Sequence, residues 1–179
     1  MGPTTYSLCS KPVIGAVMWT SSLCAFPPPL PEAQVSLSSP GPILTTTFEA
    51  PVEKSYPLIL VFTFANNDER LKDEYVGSTY NQYCQGIPFE QIPEKFREGL
   101  GKPIPIKVVV TRSEDASVVL DKTFESLCMT SWGTVTKNRT VVYLPLPRGK
   151  LTIQVVNLQS QPEFQGVKVG VMLAGGAGK

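Results

Sequence analysis

Residues 139 to 158 read Arg-Thr-Val-Val-Tyr-Leu-Pro-Leu-Pro-Arg-Gly-Lys-Leu-Thr-Ile-Gln-Val-Val-Asn-Leu. The stretch is rich in β-branched residues and its dominant period is two, the period that puts successive side chains on opposite faces of a strand. Pro147, Arg148 and Gly149 supply the fixed φ and the permissive φ of a tight turn. The reading is therefore two strands, 139–146 and 150–158, joined as a hairpin. Pro145 lacks an N–H and puts the first of them near a sheet edge at that end.

The same period recurs on either side. Residues 42–50 are β-branched and end before Pro51. In 56–64, Leu58, Leu60, Phe62 and Phe64 share one face while Ile59, Val61 and Thr63 share the other. A strand apolar on both faces is central and covered on both sides. Further strands are expected at 104–112, 117–125 and 166–173. Seven or so short strands in a single domain over 32–174, punctuated by Gly and Pro and without βαβ alternation, predict an all-β fold: an antiparallel β-sandwich of seven to eight strands. One long connection, between 56–64 and 104–112, interrupts the pattern. It holds the densest charge in the chain and then a Tyr-rich polar stretch. Residues 93–98 read as one or two helical turns, with Pro93 at the first position and Gly99 as the stop.

Composition narrows the function. Of 179 residues, 42% are hydrophobic and 17% charged, too apolar for disorder and too sparse in charge for a coiled coil. Sixteen Lys plus Arg against fifteen Asp plus Glu leave a net charge of +1, which gives no field that favours nucleic acid. Histidine is absent from the sequence, and with it Ser-His and Cys-His catalysis, His metal ligation and His-based pH switching.

Residues 1–29 have another character. Lys11 is the only charge before Glu32, and the apolar run Val13 to Trp19 is followed by small residues and Pro27 to Pro29. This is the layout of a secretory signal peptide, too short to span a bilayer as a helix. Cleavage after Ala25 and lipid attachment at Cys24 both fit it, although Leu23 stands where a lipobox carries Gly, Ala or Ser. Export would leave Cys84 and Cys128 in an oxidising compartment, where two thiols close one disulfide. The chain-entropy model gives such a bridge about 4 kcal/mol. The alternative is two unrelated buried thiols.

The remaining constellations are weak. Asp68, Glu69, Asp73 and Glu74 supply carboxylates of the kind glycoside cleavage uses, but Arg70 and Lys72 lie among them and the set reads as a solvated face. The spacing Thr134-x-x-Lys137 is the nearest approach to a Ser-x-x-Lys pair, in what looks like an exposed turn. Asn138-Arg139-Thr140 is a formal glycosylation sequon. The Gly-rich end, 175–179, reads as a flexible tail. Tyr75, Tyr80 and Tyr83 share the long connection with Arg70 and Asp73, and aromatics with adaptable polar neighbours are what contact surfaces favour. The plainer reading is a long loop whose tyrosines pack onto the sandwich end.

Phe48-Glu49-Ala50-Pro51 before the strand from Tyr56, then Gly101 to Ile106, then Leu146-Pro147-Arg148-Gly149-Lys150-Leu151, then Pro162-Glu163-Phe164, resemble in that order a family of proteobacterial domains of unknown function found in short exported proteins, many of them lipoproteins. The resemblance spans roughly residues 42–173. It implies an envelope or periplasmic β-sandwich, and, because some members lie near type VI secretion genes, a toxin-neutralising role. It brings no catalytic residues. This chain departs from the family in having Leu151 where an aromatic is more usual, and in its lipobox.

The expectation is a non-enzymatic, exported domain that binds another protein, with an immunity-type inhibitor of a secreted toxin as the concrete version. Tyr75, Tyr80, Tyr83, Arg70 and Asp73 are the partner-binding candidates. No cofactor, metal or nucleic acid is expected, and the membrane enters only through a lipid on Cys24. A carbohydrate or cell-wall binding module, using Tyr75, Tyr80, Tyr83 and Trp132, is the alternative. A hydrolase built on carboxylates is the third reading.

Overall fold

The computed structural model describes residues 28–84 and 87–175. The leader through Phe26 and Pro27, with Cys9 and the candidate lipid-bearing Cys24, and the tail from Gly176, lie outside the described residues. Nine strands form two antiparallel sheets: β1 (Leu30–Val35), β2 (Gly41–Ala50), β3 (Lys54–Thr63), β4 (Ile104–Arg112), β5 (Val118–Ser126), β6 (Ser131–Trp132), β7 (Thr136–Leu146), β8 (Gly149–Asn157) and β9 (Lys168–Leu173). One sheet has the order β1-β9-β3-β7-β6 and the other β2-β8-β4-β5. The fold is the all-β sandwich that alternation predicts, with β1 and β6 in addition to the seven expected strands.

Tyr56, Leu58, Leu60 and Phe62 of β3 pack in one core with Ile106, Val108 and Val110 of β4 and with Leu151, Ile153 and Val155 of β8, all essentially without solvent contact. Each such side chain contributes about 2 kcal/mol by leaving water. β3 is central, between β9 and β7. Its outer face is less covered than expected: Val61 is buried there, but Ile59 is only half-buried.

The stretch 139–158 departs from its expected pairing. β7 and β8 are not a hairpin: β7 pairs with β3 and β6, and β8 with β2 and β4. The two residues between them carry the chain from one sheet to the other. Pro145 and Pro147 remove two N–H donors that a β7–β8 ladder needs near its turn, and Gly149, at φ +127°, takes a backbone conformation that L side chains rarely adopt. The link from β2 to β3 crosses at the same end, where Ala50 faces Gly149 and Lys54 faces Leu146. The edge position inferred from Pro145 is found: β6 reaches Lys137 and Asn138, so β7 beyond them has β3 as its sole strand partner among the described residues.

The long connection carries a helical turn where one was expected and a short α-helix where none was placed. Residues 93–98 hold a 3-10 turn at Glu94–Phe96, and the α-helix, α1, lies earlier, at Asn67–Lys72. Asn66 caps it, Oδ1 accepting from Glu69 N at 2.9 Å. Asp68 and Glu69 in its first turn and Arg70 and Lys72 in its last suit the helix dipole. No helix among the described residues is long and apolar enough to cross a membrane.

Candidate functional site

Two basic residues of β7 organise the end of the sandwich that carries the long connection. Leu58 pairs with Val142 and Ile59 with Thr140, so Val141 is an extra residue in β7. That bulge switches the parity of the strand and places Lys137 and Arg139 on the inner face with Leu144 and Leu146, all buried. A buried cation needs partners on every donor. Arg139 Nε donates to Val76 O at 3.0 Å, Nη1 to Lys102 O at 2.7 Å and to Ser126 O at 3.0 Å, and Nη2 to Tyr75 O. The guanidinium also lies 5.7 Å from the Phe62 ring centroid. Burial pulls its pKa down to about 9, with the Asp73 carboxylate acting in the opposite direction. Arg139 remains a cation at neutral pH.

Lys137 Nζ donates to Asp73 Oδ2 at 2.8 Å and to Asp73 O at 2.7 Å. The Asp73 carboxylate accepts in turn from Tyr75 N at 3.2 Å and from Val76 N at 3.1 Å. The two cations therefore fix residues 73–76, 102 and 126 against β7. Neither role is visible in the spacings Thr134-x-x-Lys137 and Asn138-Arg139-Thr140. Lys137 is buried rather than in an exposed turn, and Asn138 sits within the ladder, its Nδ2 donating to Ser131 Oγ at 3.0 Å.

What this framework holds outward is aromatic. Leu71, Tyr75, Tyr80 and Trp132 are 63%, 50%, 54% and 68% exposed. Leu71, Tyr75 and Tyr80 border an open depression of ≈ 990 Å³, with Glu74, Lys95 and Glu98 on its rim. Leu71 also borders a neighbouring hollow with Arg70, Met129 and Trp132. Of the five residues expected to bind a partner, Tyr75 and Tyr80 thus lie on one surface. Arg70 is half-buried beside it, its Nε donating to Thr134 O at 3.0 Å. Asp73 and Tyr83 face inward: Asp73 is paired with Lys137, and the Tyr83 ring packs on Phe96 at 5.1 Å. Leu71 was not among the expected residues, and only its place on a short helix with no buried residue exposes it.

Tyr80 also walls a second groove, of ≈ 870 Å³, running between β5 and β7. Phe124 and Tyr143 line its strands, and Cys84 and Pro88 the connection. Cys84 and Cys128 form a disulfide with Cα atoms 5.7 Å apart, the bridged alternative of the two left open by the cysteine count.

The four carboxylates weighed for glycoside cleavage do not face one another. Asp68, Glu69 and Glu74 are exposed, while Asp73 is committed to Lys137. Among the described residues no group of three or more His, Cys, Asp or Glu is placed to hold a metal ion.

Comparison with known proteins adds a family and a fold. A family model described as a domain of unknown function, DUF5625, matches residues 31–175. The crystal structure of a protein from Sulfurospirillum deleyianum aligns with TM-score 0.53 at 20% identity, covering 83% of this chain and 98% of that one, a likeness of fold alone. No curated protein matches the chain.

Proposed function

The chain belongs to the DUF5625 family, and from that premise we propose that it is a non-enzymatic protein-binding domain of the cell envelope that docks its partner on the surface formed by Leu71, Tyr75, Tyr80 and Trp132. The observation that carries the reading is the exposure of these four large side chains around two adjoining depressions, above a backbone fixed by buried cations. A rigid base lowers the ordering cost of binding, and aromatics dominate the energy of protein interfaces. Export is supported by the layout of the leader and by the disulfide, which oxidising compartments favour. The immunity-type version, neutralising a secreted toxin, rests on the resemblance to exported domains near type VI secretion genes.

Co-expression with a candidate secreted toxin tests it. The wild-type domain restores growth and binds the toxin in calorimetry, and Tyr80→Ala with Trp132→Ala loses both. Binding to oligosaccharides on a glycan array, lost with the same substitutions, would instead favour the carbohydrate module, for which the 68% exposure of Trp132 is the specific support.

A further inference from the structure

The long connection contains a lobe, residues 79–84 and 87–100, that closes on itself. Ser78 N and Thr79 N both donate to Gly99 O, at 2.8 and 3.1 Å, across its neck. Inside it Asn81 Nδ2 donates to Phe96 O at 2.9 Å, and Arg97 Nε to Ile92 O at 2.8 Å. It packs a small apolar cluster, separate from the core between the sheets, in which its Ile92 and Leu100 meet Leu127 and Cys128 of the segment after β5, with Tyr83 and Phe96 packed against them.

The attachment of this lobe to the sandwich is slight. Phe89 N donates to Glu125 Oε1 at 2.8 Å, and just beyond the lobe Gly101 N donates to Leu127 O at 3.2 Å. The packing of Ile92 and Leu100 on Leu127 and Cys128 and the Cys84–Cys128 bridge add to it. The base of the neck, by contrast, is fixed independently of the bridge by Arg139 on Tyr75, Val76 and Lys102 and by Lys137 on Asp73. Loss of the bridge therefore leaves the neck in place and takes away the disulfide that ties the lobe to residue 128, so that the lobe hangs by its two chain ends and its non-covalent contacts.

We infer that the Cys84–Cys128 bridge is a redox latch: a dithiol reductant releases the lobe locally and opens the groove between β5 and β7 that Tyr80, Cys84 and Pro88 wall on one side. Cys84 lines the groove and is half-buried, whereas Cys128 is 5% exposed, so the incoming thiolate attacks the Cys84 sulfur and the Cys128 thiolate leaves. The second thiol of the reductant then resolves the mixed disulfide. The S–S bond of the protein is replaced by two thiols, and the dithiol is oxidised to its own disulfide. Tyr80 belongs both to the lobe and to the proposed docking surface, so the latch is read on the protein without a partner.

Hydrogen exchange read by mass spectrometry tests this on the full chain, oxidised and in dithiothreitol, beside a Cys84→Ala/Cys128→Ala variant. Peptides from the lobe exchange at least tenfold faster on reduction, those from β3, β7 and β8 keep their protection, and the variant behaves as the reduced protein whether or not dithiothreitol is present. Unchanged exchange in the lobe would overturn the inference, because the remaining contacts would then suffice. Faster exchange spread through β3 and β8 would overturn it equally, because the bridge would then support the whole sandwich, as would a variant that still responds to the reductant.

Discussion

Gly101 leaves the space that the Arg139 guanidinium occupies: a Cβ at residue 101 would stand 1.8 Å from Arg139 Nη2, and 2.6 Å from the carbonyl oxygens of Tyr75 and Val76. All three atoms are parts of one arrangement, since Arg139 donates to both of those carbonyls. The side chain cannot move aside without breaking its bonds, and the carbonyls cannot move without shifting the neck. Gly101→Ala is expected to destabilise the domain by about 3 kcal/mol, the upper range for forcing a methyl into a packed interior. Urea unfolding measures it, and an unchanged midpoint would show that the end of the sandwich yields more readily than its geometry implies.

Removal of the cation is expected to cost more than crowding it. Arg139→Met takes the guanidinium donor from the carbonyls of Val76, Lys102 and Ser126, while Tyr75 O keeps Lys102 N, in a setting where each orphaned polar group costs about 1–3 kcal/mol. The sum approaches the whole stability of a small domain, about 5–15 kcal/mol, so low soluble yield is the expected outcome. Lys137→Met is the milder variant. It strands the Asp73 carboxylate, whose side chain is 7% exposed, for about 3–5 kcal/mol. Circular dichroism with urea titration ranks the two, and Arg139→Met matching wild type would remove Arg139 from its organising role.

Why these cations escape a reading of the sequence is a matter of parity. Counting back by twos from Leu146 and Leu144 reaches Val142, Thr140 and Asn138, and places Lys137 and Arg139 outside. The extra residue at Val141 reverses that assignment, and a bulge leaves no mark in composition. The seven main strands were legible because they carry alternation over six or more residues. β1 was not, since its pairing slips between Leu30 and Ala33 and its sequence Leu-Pro-Glu-Ala-Gln-Val shows no period. The exchange of a hairpin for a corner between sheets has a similar cause: Pro147-Arg148-Gly149 permits a sharp reversal but does not say which sheet receives the next strand. At the site, residue type singled out Tyr75 and Tyr80, and both are exposed. The inward turn of Tyr83 and Asp73 depends on Phe96 and Lys137, residues distant from them in the chain.

Acid should weaken the attachment of residues 162–164 before it affects the core. The hydrogen bond from Lys102, helped by the backbone amide of Glu163, holds the Glu163 carboxyl below its ordinary value of 4.5. A carboxyl with a lowered folded pKa is protonated first in the unfolded chain, so its stabilisation is present above the unfolded value and disappears as pH falls through the folded one. Asp115, lowered by hydrogen bonds from Ser117 Oγ and N, has the same sign. Asp115 is exposed and Glu163 half-buried at the surface, and the effect of each is small. Urea midpoints compared between about pH 7 and about pH 3 should fall more for the wild type than for Glu163→Gln, and parallel declines would exclude the Lys102–Glu163 pair as a contributor.

The aromatic surface makes the opposite demand on mutation. Leu71, Tyr80 and Trp132 are more than half exposed, and truncating exposed side chains changes stability by no more than about 0.5 kcal/mol. If they contact a partner, each truncation should weaken binding by about 1–2 kcal/mol, or roughly 5- to 30-fold in Kd. Leu71→Ala, Tyr80→Ala and Trp132→Ala are therefore expected to unfold with wild-type midpoints while losing affinity. Tyr75→Ala should lose both, because the Tyr75 ring also meets Phe164 edge-on at 6.4 Å. Calorimetric titration against the partner, beside urea unfolding of each variant, separates the two effects. A Trp132→Ala variant that binds as tightly as wild type would confine the docking surface to the depression beside α1, and equal binding by all four would place the partner elsewhere on the sandwich.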